Sequence, residues 1–364
     1  MSNKKNSSQF NKNIFIRLAY EQAKINLGST SNNPSVGCIV EKNGSTISSG
    51  RTSVNGRPHA ESNALNKKLD FKGSNLFVSL EPCSHYGKTP PCTTKIVKKG
   101  VNKVFFSIND YDKRSSNKAF KFLKGKKVKV EKNILRKFGK IFYYSYYLKQ
   151  KKLPPLLDAK IAISKDFFTK DKKIKWITNI HSRKRAHLLR SKYDCIISTS
   201  STINNDNSLL NCRIKGLEKK SPAVVIIDRK FKLKRNIKLL KKKDNRKIYL
   251  FVCKKDNRKT RYFKGKGVKV IFCESLKKGE DFKNIFLKLS KLGYSRLFLE
   301  SGLKFLKFLI DCKLIYNLYV FQSDKYLKNK GLFNAKNLLQ NKIKLERKVK
   351  VNLLQDILYK VNLK

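Results

Sequence analysis

Apolar side chains in the first third of the chain recur first at helical and then at strand spacing. Residues 14–27 carry them one turn apart and stop at Gly28, which predicts an opening helix with a C-terminal stop. The run Val36 to Val40 reads as a strand, Lys42 to Gly44 as a turn, and Thr46 to Ser49 as the returning partner of a hairpin. His59 to Lys67 predicts a second helix, and Leu76 to Leu80 a short strand that delivers Glu81, Pro82 and Cys83. Pro91 suits the start of another helix, with Cys92 in its first turn, and Val101 to Ser107 reads as one more strand. This alternation predicts an α/β layered domain.

A break follows. Beyond the Lys-rich stretch Lys149 to Lys152, Pro154 and Pro155 interrupt regular structure, so we expect two domains, 1–150 and 151–364. The second block has β-type runs at Leu156 to Ile163, Cys195 to Ser198, Ala223 to Ile227, Ile248 to Cys253, Val268 to Phe272 and Leu297 to Leu299, with helical patterns between several of them. Strand-type runs with helical patterns between them again predict an α/β domain, with a mostly parallel sheet covered on both faces. The block contains no Gly-x-Gly-x-x-Gly fingerprint.

Composition changes the picture in two places. The formal net charge is +60, which by itself would favour a polyanionic partner. The lysines are nevertheless spread over nearly every segment, and Lys, Asn, Ile, Phe and Tyr are abundant together, as drift in base composition would produce. We therefore expect no nucleic-acid function, and expect the charge to steer a phosphorylated small molecule. Eight cysteines spread over more than 300 residues do not form a secreted disulfide scaffold, and the opening residues hold no apolar stretch of signal-peptide length. No later run is long enough to span a bilayer, so the expectation is a soluble cytoplasmic protein; a homo-oligomer is compatible with it.

The chemistry is concentrated in Pro58-His59-Ala60-Glu61, Glu81-Pro82-Cys83 and Cys92. One imidazole and two thiolates leave the fourth tetrahedral position of a zinc ion open, the arrangement of a catalytic rather than a structural site. Glu61, two residues after the histidine, can take a proton from water and return it to a substrate nitrogen. Singly, His59 reads as a satisfied helix residue and each cysteine as a small buried side chain. Together they fit the His-x-Glu with Pro-Cys deaminase signature, with a wider cysteine spacing than usual.

Asn33-Pro-Ser-Val-Gly37, Pro58-His-Ala-Glu61 and Leu80-Glu-Pro-Cys-Ser-His-Tyr-Gly-Lys-Thr-Pro-Pro-Cys92 closely resemble the bifunctional riboflavin-biosynthesis deaminase/reductase family. The resemblance implies a cytidine-deaminase-like three-layer domain followed by a dihydrofolate-reductase-like α/β domain. It implies Zn2+ and NADPH as cofactors, and a diaminohydroxyphosphoribosylaminopyrimidine substrate that is deaminated and then reduced at its ribose. By the same resemblance Asn33 contacts the pyrimidine ring, and His85 and Lys88 lie near the ribose phosphate. In the second block Trp176, Thr202 and Asp206 contact NADPH, with the amides of Gly302, Leu303 and Lys304 facing its phosphate. Arg190, Leu210, Arg213 and Glu300 hold the substrate, the two arginines by forked contacts to its phosphate.

The chain departs from the family at Tyr111 to Asn117, at Phe167 and Phe168, where the family has a glycine in a tight turn, and at Ser301 and Leu303. Two other readings compete: an RNA base deaminase held by the +60 charge, and a deaminase whose reductase half is only structural. The cysteine spacing, the second α/β domain and the lack of aromatic interleaving among basic residues count against the first. Retained NADPH binding would count against the second.

Overall fold

The computed structural model describes residues 2–87, 89–241 and 246–364, with side chains described from residue 12. The chain forms two compact units, 1–153 and 154–364. Among the described residues no helix is long and apolar enough to cross a membrane.

The first unit is built on a five-stranded sheet, ordered β2-β1-β3-β4-β5. Its strands are β1 (Gly37–Lys42), β2 (Ser45–Arg51), β3 (Asn75–Val78), β4 (Lys103–Phe106) and β5 (Lys129–Lys132). β1 is antiparallel to both β2 and β3, whereas β3, β4 and β5 run parallel. The helices are α1 (Ser2–Ile25), α2 (Ala60–Leu65), α3 (Cys92–Lys98), α4 (Lys118–Gly125), α5 (Arg136–Phe142) and α6 (Tyr144–Gln150).

Two glycines set the layering. A Cβ on Gly37 would lie 1.8 Å from the Ala19 carbonyl oxygen of α1, and one on Gly50 would lie 2.2 Å from the Ala60 carbonyl oxygen of α2. Gly50 is register partner to Cys38, the neighbour of Gly37, so the two glycines face opposite sides of the sheet. Helices therefore pack on both faces at a distance that only missing side chains permit, giving three layers. α2 is shorter than the predicted 59–67 at both ends: His59 is its N-terminal cap rather than a helical residue, and Asn66 caps its C-terminus. β3 stops before Leu80, so Glu81 and Cys83 stand on the loop beyond it.

The second unit has an eight-stranded sheet ordered β11-β10-β9-β8-β12-β6-β13-β15, parallel except for β15. The strands are β6 (Leu156–Ile163), β8 (Cys195–Thr199), β9 (Ala223–Ile227), β10 (Ile248–Val252), β11 (Val268–Phe272), β12 (Arg296–Glu300), β13 (Asn317–Gln322) and β15 (Ile357–Asn362). A small ribbon pairs β7 (Phe168–Asp171) with β14 (Gly331–Asn334). The helices are α7 (Ile180–Arg190), α8 (Ser200–Asp206), α9 (Lys238–Lys241), α10 (Asn257–Gly265), α11 (Gly279–Lys291) and α12 (Leu303–Asp311).

Alternation along the strands explains the apolar stretches of β8, β9 and β10. Cys195, Ile197, Val225 and Phe251 enter one core, while Ile196, Val224, Ile226 and Leu250 enter the core on the other face. The order of the sheet changes direction around β12, flanked by β8 and β6, and a crevice at the carboxyl ends of strands at such a point is where open α/β sheets bind ligands.

Gly37→Ala must push α1 off the sheet, and we expect it to lower the stability of the first unit by roughly 1–3 kcal/mol. Gly125 is the control, because it is helical and a Cβ added there would meet nothing within 4 Å. Gly125→Ala should raise stability by roughly 0.5–1 kcal/mol. Calorimetry of both variants checks the pair, and similar effects from the two would contradict the packing argument.

Candidate functional site

In the first unit the site begins at the start of α2. His59 caps the helix in extended conformation (φ −70°, ψ 162°), which turns its ring towards the loop after β3. Cys83 stands on that loop, and Cys92 opens α3. His59 Nδ1 lies 3.5 Å from the sulfur of Cys83 and 3.5 Å from that of Cys92, and all three ligand atoms fall within 4.8 Å of one another. With metal–sulfur bonds of about 2.3 Å and metal–nitrogen bonds of about 2.0–2.1 Å, a tetrahedral edge between sulfur and nitrogen is about 3.5–3.6 Å. The donor set and its spacing therefore fit zinc with one position open.

The protonation chemistry suits a metal site. Hydrogen bonding by Cys92, aided by His59 and by the Cys92 backbone N–H at 3.3 Å, holds the Cys83 thiol down to about 4. Cys92 is pushed well above the ordinary thiol value, first by that same Cys83 contact and then by burial. Glu61 is buried and is raised to about 7 by burial and then by the Cys83 charge. A carboxyl group poised near neutrality can both accept and return a proton.

A second carboxylate shapes the cleft. Glu81 accepts hydrogen bonds from the backbone N–H groups of Asp110 (3.0 Å), Asn117 (3.0 Å) and Ala119 (3.1 Å). It thereby ties the loop after β4, where the chain departs from the family, to the cysteine loop. His85 Nδ1 meets Ser115 Oγ at 2.7 Å across the same gap. Asn33 donates its amide to the Gly56 carbonyl at 2.8 Å, which orients that side chain beside the 3-10 turn leading to His59. Lys88 lies outside the described residues.

In the second unit the residues gather at the carboxyl ends of β8 and β12. Thr202, in the first turns of α8, accepts the Gly302 amide at 3.2 Å, so that amide is already engaged while Leu303 and Lys304 open α12 behind it. Asp206 ends α8 among Lys170, Lys160 and Lys175; burial raises its pKa and those three charges oppose the rise. Trp176 is 48% exposed, with the Arg183 guanidinium 4.9 Å from its ring centroid.

Arg190 and Glu300 form a buried fork, with Arg190 Nε to Oε1 at 2.5 Å and Nη2 to Oε2 at 2.9 Å. Burial opposes ionisation of Glu300, but the charge and hydrogen bonds of Arg190 prevail and hold it down to about 2. Arg190 Nη1 donates to the Asn211 carbonyl at 2.9 Å. Arg190 is thus committed within the protein, whereas Arg213 is exposed. Leu210 is buried in left-handed conformation (φ +49°), its carbonyl accepting Arg246 Nη1 at 3.1 Å.

Two features escaped the sequence reading. His187, buried on α7, contacts both Asn211 and Arg213. The available signal was its position three residues before Arg190, on the same helical face. Arg246, whose Nη2 also reaches the Leu209 carbonyl at 3.0 Å, carries no local motif at all. The turn with Phe167 keeps its tight geometry: Phe167 adopts φ +69°, its N–H donates to the Ser164 carbonyl at 3.1 Å, and its carbonyl accepts the Ala335 N–H at 2.8 Å. Phe168 lies over Gly331, where a Cβ would come within 2.2 Å of its ring.

By fold and site this is a zinc-type deaminase unit joined to a reductase unit of dihydrofolate-reductase-like α/β fold. Residues 11–108 match the cytidine and deoxycytidylate deaminase zinc-binding region, and residues 155–357 match the RibD C-terminal domain. The chain belongs to the RibD family. It is 32% identical over 297 residues to the riboflavin biosynthesis protein RibD of Aquifex aeolicus, covering 79% of this chain and 80% of that one. It is 29% identical to the Haemophilus influenzae protein of the same name, covering 90% and 88%. A solved structure from Thermotoga maritima, a diaminohydroxyphosphoribosylaminopyrimidine deaminase/5-amino-6-(5-phosphoribosylamino)uracil reductase, superposes with TM-score 0.82 at 26% identity over 98% of this chain and 99% of that one. Acinetobacter baumannii RibD gives 0.81 at 25% identity, with 98% and 99% covered.

His187 supplies a pH test. Burial, then the positive charges of Arg190 and Arg213, push its pKa down to about 4, against opposition from the Asn211 carbonyl and Glu300. Between pH about 6.5 and about 4 the unfolded chain binds a proton that the folded one refuses, so stability should fall as pH falls through that window. Trp176, the single tryptophan, reports on this unit. Urea unfolding followed by its fluorescence should show a shallower acid slope in His187→Gln than in the parent; equal slopes would exclude this histidine as the source.

Proposed function

We propose that this chain carries out two consecutive steps of riboflavin biosynthesis, deaminating diaminohydroxyphosphoribosylaminopyrimidine in the first unit and reducing the ribosyl group of the product to ribityl in the second. The observation that carries the first step is the sulfur–nitrogen spacing of 3.5 Å around His59, Cys83 and Cys92, beside the buried Glu61. These three side chains would hold zinc, which when bound makes a nucleophile available from water at neutral pH. Glu61 would take a proton from the water and give it to the ring nitrogen, then take the proton of the newly added hydroxyl and give it to the departing amine, two transfers for which its raised pKa is suited. Asn33 orients the pyrimidine, and His85 with Lys88 meets the ribose phosphate.

NADPH, when bound, supplies the two-electron reduction in the second unit. Trp176, Thr202 and Asp206, with the amides that open α12, form the cofactor side of that cleft; Leu210, Arg213 and the Arg190–Glu300 pair form the substrate side. The working state of this half is supported by the turn at Phe167, which keeps the left-handed conformation that glycine would take. The substrate is a small phosphorylated pyrimidine, and the cytoplasm is the natural compartment, because all eight cysteines are free thiols and two must stay reduced to ligate a metal.

The zinc-loaded full chain, given the diaminopyrimidine ribosyl phosphate with and without NADPH, should release ammonia in both cases and oxidise NADPH only after ammonia appears. Ammonia without NADPH oxidation would leave a deaminase with a structural second half; no ammonia would overturn the assignment. Glu61→Gln should retain zinc, lose roughly 10²–10⁴-fold in ammonia release, and still oxidise NADPH when given the deaminated product. Chelation should give the same split, measured with the two assays in parallel.

A further inference from the structure

The substrate side of the second unit contains one histidine whose two ring nitrogens are both in use. Four contacts surround His187, and they decide its tautomer. Arg213 Nη2 lies 3.0 Å from Nε2, and the Asn211 carbonyl oxygen lies 2.9 Å from Nδ1. A guanidinium can only donate and a carbonyl can only accept, so Nε2 carries the lone pair and Nδ1 the proton. The two longer contacts, Arg190 Nη1 and the Arg213 backbone N–H, both 3.3 Å from Nδ1, would demand the opposite tautomer at the expense of both short ones. The imidazole is therefore neutral, an acceptor towards Arg213 and a donor towards the loop before it.

That loop is otherwise held by its backbone. Arg246 reaches the carbonyls of Leu209 and Leu210, Arg190 reaches that of Asn211, and the Cys212 N–H donates to Ser221 Oγ at 3.0 Å. None of these bonds touches the Arg213 side chain. Arg190 cannot share its work, because its guanidinium is engaged by Glu300 and Asn211. Glu300 is the carboxylate paired among Arg190 and Lys160, with Arg183 and Arg213 close enough to repel each other, so the cleft keeps uncompensated positive charge for an anion.

We propose that His187 is a positioning residue of the reductase unit, its Nε2 lone pair holding the Arg213 guanidinium in place to bind the substrate's phosphate, while Arg190 serves to fix Glu300 and the loop. The inference rests on reading this unit as a reductase of a phosphorylated ribosyl compound. It assigns the phosphate grip chiefly to one arginine and makes that grip depend on an acceptor nitrogen rather than on a nearby charge.

The test compares His187→Gln, His187→Asn and Arg213→Met in the full chain. Glutamine can present an acceptor oxygen at the reach of Nε2; asparagine keeps a donor for the Asn211 carbonyl but cannot reach Arg213. KM and kcat are measured by NADPH oxidation with the aminouracil ribosyl phosphate and with its dephosphorylated counterpart, and NADPH affinity by Trp176 fluorescence. His187→Asn should raise KM for the phosphorylated compound about tenfold with kcat within about threefold of the parent, and leave KM for the dephosphorylated compound unchanged. His187→Gln should recover most of that loss, and His187→Asn combined with Arg213→Met should be no worse than Arg213→Met alone. Equal KM values for the Gln and Asn variants, or effects that add in the double variant, would overturn the role of His187. A parent chain unable to oxidise NADPH with the phosphorylated compound would overturn the reductase reading itself.

Discussion

The deaminase centre depends on how closely α2 can approach the sheet. Gly50 of β2 faces that helix, and the carbonyl of Ala60 stands where its side chain would be. Because Ala60 lies between the metal-ligating His59 and the proton-carrying Glu61, this backbone contact sets the depth of both. A metal site tolerates errors of a few tenths of an ångström in its donors, so a helix displaced by the width of a methyl group would leave the imidazole out of reach of the two sulfurs. The same approach buries Glu61, and that burial is the larger cause of its raised pKa. Packing, ligand geometry and proton chemistry thus follow from one absent Cβ.

The second unit solves a different problem, that of keeping positive charge available in a buried cleft. An arginine largely withdrawn from water needs a partner, and Arg190 has one in Glu300, with two parallel hydrogen bonds. The pairing removes Arg190 from direct competition for ligand and leaves its geometry rigid. Arg213, exposed and steadied by a neutral acceptor, retains its full charge for an incoming anion. A carboxylate in place of His187 would steady Arg213 equally well but would also neutralise it, which is the physical reason an uncharged acceptor suits this position.

Much of the fold was legible because the central strands carry their own signal. β8, β9 and β10 bury apolar residues on both faces, and the chemistry sits in short motifs at strand ends. Some elements were not legible. β5 reads Lys-Val-Glu-Lys with a single apolar residue, and β13 and β15, which pair antiparallel at one side of the second sheet, each mix polar residues into short apolar stretches. α4 is amphipathic but lysine-rich, and its start at Asn117 depends on the Glu81 contact from another part of the chain. Phe167 is instructive in the other direction. A bulky residue in a left-handed turn costs of the order of 1 kcal/mol, and the sequence suggested a damaged turn. The compensation lies far along the chain, in the Ala335 hydrogen bond and the bare backbone of Gly331, where no local pattern could reveal it.

The chain has 85 basic and 25 acidic residues, which raises the question of how so lopsided a composition keeps two precise sites. The carboxylates suggest how. Glu81 binds three backbone N–H groups; Asp166 binds those of Leu327 and Lys328; Asp228 binds those of Lys232 and Leu233; Asp194 binds those of Ser295 and Arg296; and Asp281 binds those of Lys277 and Lys278. A bond to a backbone N–H constrains the path of a loop without constraining its side chains. The loop after β4 and the turn at Phe167 both depart from the family in side chain, and both are held by such a carboxylate, Glu81 in one case and Asp166 in the other. The surface can therefore fill with lysine while the loops that frame each cleft stay where they are needed. The excess charge then acts over longer range, as a salt-sensitive attraction for a phosphorylated substrate, and specificity is left to the few side chains that are individually held.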